Sequence, residues 1–350
     1  MYHLLLRWGL AGALLLLTPG AALAAKAPPR PTPVPPKPPK SPAAPRSTGH
    51  IAYVGANGNI FVVRPDGTDK RALTNNGAAD PSYNAPLLSP TGADVLATRF
   101  ATGLGAFKGS DTSGLWLIPS SGAPRRLTPN VPRGYVWAPD GAGIVYEEGY
   151  LSETALIVLD PRTGHKRTLP CDAAFRLVGV TPVGNRAIGV QGGNVVSESL
   201  TDGTTQGLTS YGAKAGVWQG LAAVSPSGRA VLYAEAPGTT LVSIDLRGGR
   251  SARTPLASAV SGIAPSSDAS TYAYATSGAG GARQIVLRAG KSATSLPGDA
   301  SFTAHAFAPN GAALAYTSGG GLPYIYVAHV AAQETRATRL DFGRDADWGA

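Results

Sequence analysis

Five histidines, one cysteine and three closely spaced glutamates are the residues of this 350-residue chain from which catalysis could be assembled. A metal centre needs several imidazoles or carboxylates within reach of one ion, usually at short local spacing. His3, His50, His165, His305 and His329 are scattered instead. His305 alone immediately precedes a strand that the pattern below places on a channel wall. Glu147-Glu148 with Glu153 could supply an acid/base pair or a calcium site, but adjacent strand residues point to opposite faces. A solvated loop cluster is the expectation for these three. A serine nucleophile would need a Gly-x-Ser-x-Gly elbow, and the chain has none. Gly290-Lys291-Ser292 imitates the end of a phosphate loop, yet the glycine required five positions before Gly290 is Ile285, so it reads as a hairpin turn. Cys171 cannot form an internal disulfide and reads as a small, buried apolar residue at a strand end. No catalytic residue, cofactor or metal is expected.

Two stretches have the composition of a binding surface, with aromatics beside cations. Residues 99–114 carry Arg99, Phe100, Phe107 and Lys108, and residues 210–220 carry Tyr211, Lys214 and Trp218.

These stretches interrupt a repeat that must position them. A Pro-x-Gly turn recurs at Ser89-Pro90-Thr91-Gly92, Ala138-Pro139-Asp140-Gly141, Thr181-Pro182-Val183-Gly184, Ser225-Pro226-Ser227-Gly228 and Ala308-Pro309-Asn310-Gly311, with a degraded copy at Ala264-Pro265-Ser266. The prolines step by 49, 43, 44, 39 and 44 residues, the pitch of a propeller blade. Small or alternating innermost strands, such as Tyr135-Trp137 and Leu177-Val180, precede each turn. A second strand follows, read seven times from Ile51-Tyr53 to Leu314-Tyr316. The third strand is apolar at every position, as in Leu156-Leu159, which demands cover on both faces. Asp-Gly type hairpins lead to short, basic outer strands such as Arg71-Thr74 and Arg125-Thr128, suited to an exposed edge.

The pattern enters at a second strand, Ile51, and finishes on Asp347-Trp348, where Trp348 aligns with Trp137. The expected fold is therefore all-β: a seven-bladed propeller of four-stranded antiparallel blades over residues 49–350, in which the C-terminal strand completes the first blade. Six blades is the alternative, if residues 260–297 have another structure.

Arg7, the apolar run Gly9 to Leu17 and the small-residue site Ala22-Leu23-Ala24 read as a cleaved signal peptide over residues 1–24. Residues 25–48 are rich in proline and lysine or arginine and predict a disordered, extended spacer. Of the 30 basic residues, Arg7 lies in the leader and five in the spacer, which leaves 24 against 21 acids, about +3 for the folded part. That balance argues against nucleic acid as a partner. The leader's apolar run is too short to span a bilayer, so no membrane span is expected after cleavage.

The Pro-Asp-Gly turn, aromatic second strand, apolar third strand and Arg-x-Leu-Thr outer strand, best seen in residues 51–74, resemble the TolB-like propeller repeats of bacterial exported proteins. The resemblance implies a propeller and a place in the periplasm or outside the cell. The same repeat forms the non-catalytic propeller of prolyl-oligopeptidase-like peptidases and the body of some sugar-acid lyases, so it constrains fold more than role. The expectation is a monomeric, non-catalytic scaffold for an envelope or extracellular protein or peptide. A propeller enzyme or carbohydrate-binding protein, using the channel mouth, is the alternative.

Overall fold

A computed structural model describes residues 49–78, 80–100, 112–150, 153–182, 185–211, 216–277, 283–296, 306–318, 323–330 and 337–349. Among these, every regular element is a β-strand.

Five four-stranded antiparallel sheets follow in chain order. The first outside the chain ends is β4 (Ser82–Leu88), β5 (Asp94–Phe100), β6 (Gly114–Pro119) and β7 (Arg125–Thr128). Next come β8 (Tyr135–Trp137), β9 (Ile144–Tyr150), β10 (Glu153–Leu159) and β11 (Lys166–Cys171). Then β12 (Arg176–Val180), β13 (Arg186–Gln191), β14 (Asn194–Ser199) and β15 (Thr205–Gly207) form the third sheet. The fourth is β16 (Val217–Val224), β17 (Ala230–Glu235), β18 (Thr240–Asp245) and β19 (Ser251–Pro255). The fifth is β20 (Val260–Pro265), β21 (Thr271–Ser277), β22 (Arg283–Ala289) and β23 (Ser292–Leu296). The described parts of this repeat, residues 260–277 and 283–296, are thus as regular as the other repeats.

The chain ends share one seven-stranded sheet, ordered β24-β25-β26-β27-β1-β2-β3. Its members are β24 (Ala306–Phe307), β25 (Ala313–Ser318), β26 (Tyr324–His329), β27 (Ala337–Gly349), β1 (His50–Gly55), β2 (Ile60–Val63) and β3 (Arg71–Ala72). Residues 337–342 of β27 pair with β26, and residues 343–349 pair with β1. The crossover is at Gly343, where a Cβ would lie 2.5 Å from the Tyr53 ring, so a side chain there would force the strands apart. Trp348 pairs with Ile51 as Trp137 pairs with Ile144, which bears out the alignment read from sequence and joins the N-terminal to the C-terminal strand.

The apolar residues segregate between sheets. Ala52, Val54, Ile60 and Val62 pack on Tyr83, Leu88, Val95 and Ile118 of the next sheet. The same arrangement repeats around the ring until Ala313, Ala315, Ile325 and Val327 pack on Ile51, Tyr53 and Trp348. Most third strands carry an apolar run because each face meets a neighbouring sheet, each large side chain buried contributing about 1.5–3 kcal/mol, while β14 is the exception, with Ser197, Glu198 and Ser199 buried.

The Pro turns close as the sequence pattern requires. Gly92, Gly141, Gly228 and Gly311 hold φ of 70°, 72°, 67° and 70° and donate their N–H to the carbonyls of Ser89, Ala138, Ser225 and Ala308. In the degraded copy the register differs from the expectation. Pro265 is still in β20, paired with Tyr272, and the turn runs from Ser266 to Ala269, which takes the glycine's place at φ 58°. The hydroxyl explains the shift. Ser266 Oγ accepts Thr271 N–H at 3.2 Å, as Ser89 and Ser225 Oγ accept from the residues after their own turns. In this copy Ser266, not Pro265, marks the start.

Candidate functional site

Innermost strands of neighbouring sheets converge on the ring axis without main-chain pairing to one another, so backbone groups facing the gap need side-chain partners. Around β4 these are supplied from both sides. Asp347 Oδ2 accepts Leu88 N–H at 2.7 Å and Asp345 Oδ2 accepts Ala85 N–H at 3.4 Å. Arg344 Nη2 donates to Ser82 Oγ at 3.1 Å and to Tyr83 O at 3.0 Å. From β8, Tyr135 donates its hydroxyl to Ala85 O, and Trp137 Nε1 donates to Leu87 O at 3.1 Å. Acids of β27 therefore take the N–H groups of β4, while aromatic donors of β8 serve its carbonyls.

A bulge recurs at this level. Register shifts fall between Asn84 and Leu87, Leu177 and Gly179, Val217 and Ala222, and Val260 and Gly262. Ala85, Gln219 and Asp345 adopt φ of 47°, 48° and 55° there. Such bulges re-aim side chains and expose the N–H and C=O groups that the stitching above satisfies.

Toward the Pro-turn end the axis widens into a cavity of about 410 Å³. Its wall includes Val136, Trp137, Val180, Ala223, Phe307 and Trp348, with Asp347 among them. Burial pushes the Asp347 carboxyl up to about 6, against the Leu88 and Trp348 N–H groups that favour its charged form. Tyr135 is likewise pushed up by burial.

A second group of acids lies between the β8–β11 and β12–β15 sheets. Glu147 is 1% exposed, accepts Leu177 N–H through Oε1, and has Arg133 Nε 3.9 Å from Oε2. Burial raises it, opposed by the Leu177 N–H and by Arg133. Glu198 is 2% exposed, and its Oε1 has no hydrogen-bond partner. Burial, then the charge of Asp172, push it up to about 7. Cys171 closes β11 and is pushed up to about 12 by burial and these carboxylates, so its thiol stays protonated. Among the described residues no three His, Cys, Asp or Glu side chains are grouped to hold a metal ion.

Glu147 corrects the expectation of a solvated loop cluster. Glu147 and Glu148 are in β9 and Glu153 opens β10. Their faces do diverge: Glu147 reaches Leu177, whereas Glu148 accepts Thr128 Oγ1 at 2.9 Å. Burial is tolerated because Glu147 replaces a missing backbone partner.

The aromatic-cationic residues fare unevenly. Arg99 is a β5 residue, 6% exposed, donating to Asn76 O and lying 5.1 Å from the Tyr83 ring centroid, so its guanidinium is held inside the protein. Phe100 ends β5 half-buried. Trp218 is in β16 rather than in a loop, and its indole fills the space beside Gly238, where a Cβ would lie 2.7 Å away. Tyr211 is half-buried, with its hydroxyl 2.5 Å from that of Tyr233, in a 280 Å³ cleft that Arg253 also lines. Phe107, Lys108 and Lys214 lie outside the described residues, as does His305. His50 Nε2 is 3.3 Å from Asp69, and His165 is exposed in the β10–β11 turn. Gly290-Lys291 is the expected β22–β23 hairpin, with Ala289 facing Ser292.

Sequence reasoning missed Arg344, Asp345 and Asp347. Their signal was present in the alternation Arg344-Asp345-Ala346-Asp347, too polar for a strand covered on both faces. What it could not show was which backbone those charges serve.

No family model matches the chain, and no curated protein sequence does. Solved structures do. TolB from Acinetobacter baumannii is similar at TM-score 0.51 and 15% identity, covering 85% of this chain and 81% of that one. An oligogalacturonate lyase in complex with manganese is similar at TM-score 0.61 and 14% identity, covering 77% and 82%. A functionally unknown protein from Desulfotomaculum acetoxidans gives TM-score 0.58 and 12% identity over 86% and 98%. At these identities the likeness concerns fold and leaves role open. Together with the ring of four-stranded antiparallel sheets, it shows that the chain has a β-propeller fold.

Proposed function

We propose that the chain is an exported, monomeric, seven-bladed propeller that binds an envelope or extracellular protein or peptide without catalysing a reaction. The seven-stranded sheet is read as two blades sharing β27, its first half the outer strand of one and its second half the innermost strand of the other. The leader over residues 1–24 directs export to the periplasm or beyond, and residues 25–48 space the ring from its surroundings.

One observation carries the binding reading. Arg344, Asp345, Tyr135 and Trp137 of the innermost strands are committed to backbone hydrogen bonds, Glu147 behind them gives Oε1 to Leu177 N–H, and Asp347, which gives Oδ2 to Leu88 N–H, is the one ionisable residue among those described that line the axial chamber. A catalytic acid or base needs a free proton-transferring atom aimed at substrate. Recognition then falls to the loops at the end opposite the Pro turns, with Phe100, Phe107, Lys108, Tyr211 and Lys214 as its residues; the placements of Arg99 and Trp218 make those two supports.

Affinity capture from the envelope fraction, followed by titration of the captured partner, tests this. The double variant Phe107→Ala, Lys108→Ala should weaken binding at least about tenfold, a typical hot-spot loss. Unchanged affinity would remove the loop end from consideration.

A further inference from the structure

The Pro-turn end of the axis has a chemistry of its own. Among the described residues lining the 410 Å³ chamber, Asp347 is the only ionisable one. The same lining includes Trp137, Trp348 and Phe307 and otherwise aliphatic, proline, glycine and serine residues. Asp347 spends Oδ2 on Leu88 N–H, but no cation of the wall neutralises it; Arg344, three residues earlier on β27, is turned to Asp345, Ser82 and Tyr83. A carboxylate in an apolar setting without a counter-ion is costly, and a cation that enters recovers that cost. Aromatic walls add attraction for the same sign of charge. The volume lies in the range of small-molecule sites.

We propose that this chamber binds an organic ammonium ion, its charged group at the Asp347 carboxylate and its apolar body against Trp137, Phe307 and Val180. A metal cation fits less well, because one carboxylate and an apolar wall cannot replace the oxygen shell that calcium or magnesium demands. A neutral apolar ligand would leave Asp347 uncompensated. The proposal is independent of the loop-end reading, which concerns the opposite face of the ring.

Calorimetric titration of the full chain at about pH 8, where Asp347 is ionised, distinguishes these ligands. The probes are 2-phenylethylamine and its isostere 2-phenylethanol. The amine should bind at least about tenfold more tightly than the alcohol, the discrimination expected of one desolvated charge pair. Asp347→Asn, whose amide oxygen can still accept Leu88 N–H, should abolish that preference while circular dichroism shows the same strand content. Ala223→Leu narrows the chamber without altering Asp347 and should weaken both ligands. Equal affinity for amine and alcohol, absence of amine binding at millimolar concentration, or a preference that survives Asp347→Asn would each overturn the proposal. Should Asp347→Asn not fold, undiminished amine binding by a folded Ala223→Leu would do so.

Discussion

Two interfaces between neighbouring sheets solve the same packing problem differently. Between β20–β23 and β24–β26, Ala264, Ala273, Ile285, Leu287 and Leu296 meet Phe307, Leu314, Tyr316 and Ala328, and no carboxylate is buried there among the described residues. Between β8–β11 and β12–β15, Val145, Leu156 and Leu169 meet Leu177, Val180 and Val196, but Glu147 and Glu198 are buried in the same seam. The first interface rests chiefly on the packing of apolar and aromatic side chains. The second adds a carboxylate that completes the backbone hydrogen bonding of β12, and with it a dependence on proton concentration.

Four measurements would break or sharpen this contrast. The largest effect belongs to the apolar seam: Leu314→Ala, at a fully buried site, should cost about 3–4 kcal/mol in denaturant unfolding. A loss below about 1 kcal/mol would mean that this seam is loosely packed. Next is Glu147→Ala, which orphans Leu177 N–H and should cost about 2 kcal/mol, while Glu147→Gln retains an acceptor and most of the stability. If Gln and Ala were equally damaging, the hydrogen bond would not be what Glu147 contributes.

The third concerns pH. Glu198 titrates at about 7 in the folded protein against an ordinary 4.5, so the folded state holds its proton more tightly than the unfolded chain. Its contribution is fully present below about pH 4.5 and is lost as pH rises to about 7, a loss on the order of 1–2 kcal/mol after allowance for solvent screening. Unfolding curves across that window should show the decline, and Glu198→Gln should flatten it. A decline unchanged in the variant would assign the effect to other acids, Asp347 first among them.

The smallest change is a gain. Ala269 occupies the turn position that glycine holds elsewhere, at φ 58°. Ala269→Gly should raise the midpoint of unfolding by about 1 kcal/mol equivalent, the strain an L-residue carries in that region. No gain would show that the turn relaxes at no cost.

How much was legible follows from these residues. The second and third strands could be placed because their apolar runs and tyrosines are local signals, and the aspartate hairpins because Asp66, Asp160, Asp202 and Asp245 each bond an amide two residues on. The degraded turn was misplaced by two residues because Pro265 was read as its marker, whereas the turn starts at Ser266, whose hydroxyl accepts Thr271 N–H. Arg99 and Trp218 have the composition of an interaction surface, and composition cannot tell an exposed side chain from one tucked against a ring or a glycine.

The order of strands, their pitch and the completion of the first blade by Trp348 were determined by the sequence itself, because turn chemistry and strand patterning act between neighbours along the chain. Which charges are free was decided only by the tertiary structure. Asp347 meets Leu88, Glu147 meets Leu177 and Tyr135 meets Ala85 across gaps between sheets, where partners far apart in sequence are chosen by the closing of the ring and by the need to satisfy backbone groups shut away from water.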